Sequence, residues 1–292
     1  MTWLTVAKKD FRDAVQSRAL WALVVVFVVV SMIASYAYVE FPEMFGEPGG
    51  ATFGGLLFFT VGLAGLFVPL AAIVVCYKSL AGERELGSIK LLLSLPTTRG
   101  HVFAGKVVGR AAVLAFGLGV GLVVGLGFGS AMLGEFDAVA ALVFVLVTLA
   151  FAAIYATIVV GISATTGSTS RATTLALGFF VVFELLWDAV AMGILYVLEG
   201  FTLPPPTEMP DWMFTLLQVS PSSAYFSSIV ALLPDVADRV NADPAQAGSG
   251  VEVGAAEAEP LFASPEVGIA VLALWLLVPL VIGYVQFDRA DF

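Results

Sequence analysis

Gly100-His-Val-Phe-Ala-Gly105-Lys106-Val107 comes within one residue of a phosphate-binding loop. In that motif the backbone amides of a glycine-rich loop cradle phosphates, the lysine reaches them, and a Ser or Thr hydroxyl after the lysine holds magnesium. Here Val107 replaces the hydroxyl, and the flanks read as helix with no strand in front. Lys106 and Arg110 therefore read as the cytoplasmic edge of an apolar run rather than as a nucleotide site. His101 is the only histidine and Cys76 the only cysteine. That composition provides no zinc ligand set and no intrachain disulfide. No GxSxG motif occurs, and His101 has no evident serine and acid partners, which speaks against a hydrolase.

Two other groups of residues carry chemistry. Glu184 and Asp188 interrupt an apolar run at a spacing of four, which places them on one helix face. Carboxylates inside a bilayer are costly and by default functional. They could line a path, bind a cation or hydrogen-bond a neighbouring helix, and if they sit near the interface they do none of these. The second group is Glu83-Arg-Glu-Leu-Gly-Ser-Ile-Lys-Leu-Leu-Leu-Ser-Leu-Pro-Thr-Thr-Arg99, held between two long apolar runs. Helix–helix connections are usually about 2–8 residues, so this one is longer than a turn requires. On a helix Leu86, Ile89 and Leu93 share a face, with Glu83, Arg84, Glu85 and Lys90 as polar contacts. Pro96 ends that helix, and Thr98 can cap a second one running through His101 and Lys106. The pattern is a helical elbow under the membrane, built to meet a partner in the water phase.

The elements that position these residues follow from composition. The 292 residues are 60% hydrophobic and 12% charged, against about 25% charged in a soluble domain. Apolar runs long enough to cross a bilayer, roughly 20 residues each, lie at Ala19–Val39, Ala51–Tyr77, Ala111–Gly134, Ala138–Ser170, Ala172–Leu198 and Val267–Phe287. Six spans are expected, as helices, because lipid leaves each backbone amide to be satisfied within its own segment. The fold class is all-α, a polytopic membrane protein. Residues 1–18 form an N-terminal interfacial helix and residues 19–292 a six-helix transmembrane domain. That domain carries a cytoplasmic loop at 78–110 and an outer loop at 199–266.

In that arrangement every lysine and arginine except Arg239 falls on one side of the membrane. The positive-inside rule puts that side, with both termini, in the cytoplasm of the cell. The acids crowd the other side, scattered over every outer loop, a pattern that fits the surface of a halophile's protein, a plain acidic loop or a site that attracts cations, the scatter favouring the first. The net charge of −10, with no basic patch laced with aromatics, argues against nucleic acid. Trp3, Leu4, Ala7, Phe11, Ala14 and Val15 recur at helical spacing opposite Lys8, Lys9, Arg12 and Asp13, the pattern of a helix lying on the leaflet. The third span holds Gly117, Gly121 and Gly125 at small-xxx-small spacing, which lets helices approach closely. Asn241 to Pro260, rich in Gly, Ala and acids, has the composition of a disordered stretch.

The run Glu83–Arg99 with Gly105-Lys106 resembles the cytoplasmic signature of type 2 ABC exporter permeases. Ala7-Lys-Lys-Asp-Phe-Arg-Asp13 with Ser17-Arg18 is similar to their N-terminal elbow helix, and Ser220-Pro-Ser-Ser-Ala-Tyr225 to their outer segment. Within that family the chain looks closest to the branch containing the permease of nitrous-oxide-reductase maturation. The resemblance implies a permease subunit that is not itself an enzyme and has no cofactor in this chain. It also implies a cytoplasmic ABC ATPase carrying ATP and magnesium, two permeases and two ATPases per complex, and ATPase coupling through Glu83, Arg84, Glu85, Leu86, Ile89, Lys90 and Leu93. An ATP-driven exporter needs no titratable relay, which favours a structural hydrogen-bonding role for Glu184 and Asp188. Two other classes fit the residues: a secondary transporter or channel using those two acids, and a non-transporting scaffold whose elbow recruits a cytoplasmic protein.

Overall fold

The computed structural model of the chain describes residues 2–45, 50–89, 97–205, 209–237 and 266–290. Among them, all regular structure is helical. An amphipathic helix, α1 (Trp3–Val15), leads into α2 (Arg18–Glu40), which the Ser17 hydroxyl caps by accepting from Leu20 N at 3.3 Å. The next elements are α3 (Phe53–Cys76), the short α4 (Ala81–Glu85) and α5 (Arg99–Leu133). Thr98 caps α5 as its sequence foretells, its hydroxyl accepting from His101 N at 3.2 Å. Gly134, at φ +72°, ends α5, and the Asp137 carboxylate caps α6 (Ala138–Thr165) through Val139 N and Ala140 N, at 2.8 and 2.9 Å. The chain continues as α7 (Thr169–Phe180), which runs into one π-helical turn (Val181–Leu185), then α8 (Trp187–Leu198). It closes with α9 (Asp211–Leu217), α10 (Pro221–Leu232) and α11 (Glu266–Asp288).

Helices α2, α3, α5, α6 and α11 are each long and apolar enough to span a membrane. The sixth span is a bent one, α7 with α8, broken by 59° at Leu186. The protein is a polytopic all-α membrane protein.

Helix α5 is the spine of the bundle, and its glycines explain why. A Cβ on Gly121 would lie 2.7 Å from the Cβ of Phe27, and one on Gly125 2.4 Å from that of Ser31. Helix α2 therefore lies directly on the α5 backbone, and Ser35 Oγ donates to Gly125 O at 2.8 Å. The glycine spacing serves a seam within this chain. At 35 residues and about 1.5 Å per residue, α5 outruns the roughly 30 Å hydrocarbon core. Its first turns project beyond the bundle at the basic end, and there α1 packs on Gly105 and Gly109.

Two expectations change. The helix expected across Glu83–Leu95 stops at Glu85: Gly87 takes φ +71°, a left-handed conformation that ends a helix. Residues 90–96, with Lys90 and Leu93, lie outside the described residues. The outer loop expected at 199–266 is partly folded inward. Helix α9 turns back along α8, burying Met213 and Leu217 against Ala191 and Leu195, with Trp187 Nε1 donating to Leu216 O at 2.8 Å. Helix α10 then starts deep in the bundle, where Ser222 Oγ donates to Gly65 O, midway along α3, at 3.0 Å. Tyr225 is buried, stacked on Phe151 and sharing a 2.7 Å hydrogen bond with Thr148. The pair α9–α10 is re-entrant. The apolar side chains of α10 bury against α3, α6 and α11, and those of α9 against α8, a gain that an outer loop would forgo. Asn241 to Pro260 lies outside the described residues.

Candidate functional site

The charged segment after α3 is anchored at its base by one buried serine. Ser163 Oγ, on α6, donates to Tyr77 O at 2.8 Å and accepts from Leu80 N and Ala81 N at 3.2 and 3.0 Å. That fixes the first turn of α4 against the end of α6. Arg84 Nη1 then donates to the carbonyls of Ala164 and Thr166, at 2.8 and 3.3 Å, satisfying groups the end of α6 leaves open. Glu85 accepts from Thr169 N at 2.8 Å, capping the first turn of α7. Glu83 turns the other way, its Oε1 lying 2.6 Å from Lys106 Nζ on α5.

Of the four charged residues expected to meet a partner, Glu83, Arg84 and Glu85 are thus engaged with their own chain, and Lys90 lies outside the described residues. The apolar ones separate. Ile89 is 1% exposed and belongs to the core, whereas Leu86 is 84% exposed. The helix stop at Gly87 separates residues that a continuous helix would keep on one face. Among the described residues of this segment, the apolar side chain that remains outward is Leu86, at the tip of a hydrogen-bonded turn.

Lys106 makes no phosphate loop. Gly100 to Val107 is the opening of α5, and Gly105 is closed off, since a Cβ there would lie 2.5 Å from that of Val6. Lys106 Nζ also lies 2.9 Å from Asp10 Oδ1, and Arg110 Nε lies 3.0 Å from Asp10 Oδ2. Asp10, Glu83, Lys106 and Arg110 form a cluster of two acids and two bases between α1, α4 and α5. Sequence reasoning missed Asp10, although a signal was present. Asp10 stands three residues after Ala7 and four before Ala14, on the apolar side of α1, where an acid needs a buried partner.

The intramembrane acids also part company. Glu184 sits in the π turn and faces inward. Tyr155 Oη, on α6, donates to its Oε1, and the backbone of Ser222, in the first turn of α10, hydrogen-bonds it as well. A carboxylate at a helix N-terminus meets free amides and a favourable dipole. Asp188, past the break, lies exposed on α8. The expected shared face is lost because the π turn and the 59° bend rotate α8 relative to α7.

A bundle of long apolar helices, with an amphipathic helix and a charged turn at one end, defines a polytopic membrane protein. The chain belongs to the ABC-2 transporter family, whose model, the ABC-2 family transporter protein, matches residues 4–292. It is similar to a probable ABC transporter permease protein NosY of Pseudomonas aeruginosa, 28% identical over 232 residues, covering 76% of this chain and 78% of that protein. It is equally similar to the probable NosY permease of Stutzerimonas stutzeri, 28% identical over 234 residues, covering 75% and 78%.

Proposed function

We propose that this chain is the membrane-spanning permease of an ABC exporter, working with a separate cytoplasmic ATPase that carries ATP and magnesium. Leu86 is the observation that supports this reading. An apolar side chain left 84% exposed beside a turn whose charged groups are engaged with their own chain is shaped to fill a groove on another protein. Glu83, Arg84 and Glu85 hold that turn rigid, and Ile89 roots it in the core. Lys90 and Leu93 complete the contact. Closure of the ATPases on ATP pushes the turn, and the inward-facing arrangement of spans tilts outward. Two permeases pair around the path, and both termini lie in the cytoplasm, in keeping with the basic residues gathered at that end. The acidic outer surface suits a host living in high salt. The printed name of the Pseudomonas and Stutzerimonas relatives supports the permease role.

Leu86→Asp tests the reading. A buried unpaired carboxylate at the centre of a contact costs about 2 kcal/mol or more, on the order of a thirtyfold loss in affinity. The partner ATPase should co-purify with the wild type and be lost from Leu86→Asp, while membrane insertion is unchanged. Undiminished co-purification with the variant would move the docking surface elsewhere.

A further inference from the structure

Beside the proposed docking turn lies the cluster of Asp10, Glu83, Lys106 and Arg110. The side chains of Asp10 and Lys106 are 6% and 9% exposed, and that of Glu83 is 27%. Two acids and two bases cancel in formal charge. A buried set of this kind adds little stability over apolar packing, and its best-attested use is to select one arrangement or switch between two.

The set is lopsided. Asp10 is held twice, by Lys106 and by Arg110, whose Nη1 also donates to Val75 O at 3.2 Å. The α1 backbone cannot shift towards α5, because Gly109 leaves no room beside Asp10. Glu83 holds one partner only among the described residues, and its Oε2 is shut off from solvent without accepting a hydrogen bond; Asp10 Oδ2 accepts none either, but it lies 3.0 Å from the Arg110 guanidinium, whereas the structure records no such cation beside Glu83 Oε2. That penalty is relieved when Glu83 swings to water. Lys106 meanwhile keeps Asp10, so no bare ammonium is left behind. Arg84 and Glu85 tie α4 to the inner turn at Ala164–Thr169 and to α7. When Glu83 lets go, α4 stays bonded through Ser163 and Arg84 to the end of α6 and through Glu85 to the start of α7, and these ends can shift together relative to α1 and the first turns of α5.

We propose that the Glu83–Lys106 ion pair is a releasable latch. It holds α4 against α1–α5 at rest and opens when the partner presses on Leu86, three residues further along. The pressing partner rests on the function proposed above, whereas the latch itself belongs to the chain alone.

Spin labels at Lys8→Cys and Ser170→Cys, both exposed, in a Cys76→Ala background, report the separation of α1 from the start of α7. In nanodiscs without any ATPase, the otherwise unaltered labelled chain should give one narrow distance. Glu83→Gln should add a longer population, Glu83→Asp should restore the narrow one, and Arg12→Gln, which removes an exposed charge from α1, should change nothing. A Glu83→Gln distribution equal to the parent's would overturn the latch, whether or not an ATPase binds. In the purified complex, ATP with vanadate should move the parent to the longer distance, and Glu83→Gln should start there and lose the shift. A nucleotide-bound parent that keeps the narrow distance would also overturn it. Survival of ATPase binding in Leu86→Asp would defeat the docking reading alone, leaving the nanodisc result standing.

Discussion

Leu86 and Ile89 stand three residues apart and meet opposite fates, one outward in water and one in the core. Glu184 and Asp188 repeat the lesson inside the membrane. Glu184 is a clamp, joining the π turn to Tyr155 of α6 and to the first turn of α10. Glu184→Leu strips both donors of their acceptor, at about 1–3 kcal/mol for each group left unsatisfied. That variant should therefore show a lowered thermal midpoint and a poor yield of complex. Glu184→Gln, which keeps an acceptor, should be near normal in both, and so should Asp188→Asn. A Glu184→Gln, Asp188→Asn double variant that assembles normally yet transports nothing would place their charge in the path and remove the structural role.

At the scale of the element, α5 is decided by what its glycines allow. Gly125 and Gly127 sit two residues apart on one helix. A Cβ at Gly125 would collide with Ser31, while one at Gly127 would meet nothing within 4 Å. A single added methyl should separate them. Gly125→Ala should cost about 1–3 kcal/mol, as overpacking does, by driving α2 off the seam, and Gly127→Ala should be silent. Thermal unfolding in detergent, read by tryptophan fluorescence, checks the pair. Equal midpoints would mean that α2 does not rest on the α5 backbone.

For the whole molecule, the sided distribution of charge and the re-entrant pair α9–α10 set what faces where. Ser88→Cys should react with a membrane-impermeant maleimide only from the cytoplasm, and Asp137→Cys only from outside. Native Cys76 is buried and should stay silent while the fold is intact. A Ser88→Cys label taken up from outside would reverse the map. The chain purified alone should neither bind nor hydrolyse ATP, because its one lysine in a near-motif is sealed between Asp10 and Glu83. Saturable ATP binding by the isolated chain would remove the need for a partner ATPase.

The apolar helices, the all-helical class, the cap at Thr98, the amphipathic helix at the N-terminus and the family resemblance were all legible in the residues. Each rests on a local rule: apolar length, hydrogen-bond closure within a segment, periodicity, a run of matching types. Tertiary structure decided the rest. Ile89 is inside and Leu86 outside because Gly87 turns the backbone between them, and the space under α4 is already filled by α6. Asp10, Lys106 and Arg110 stand about a hundred positions apart in sequence and meet because two glycines let α1 settle on α5. The apolar run at Ser220–Leu232 turns into the bundle because α3, α6 and α11 leave a buried slot for it. Local patterning declares what a segment can become. Which of its faces is buried depends on the shape of its neighbours, and that exists only once the helices have packed.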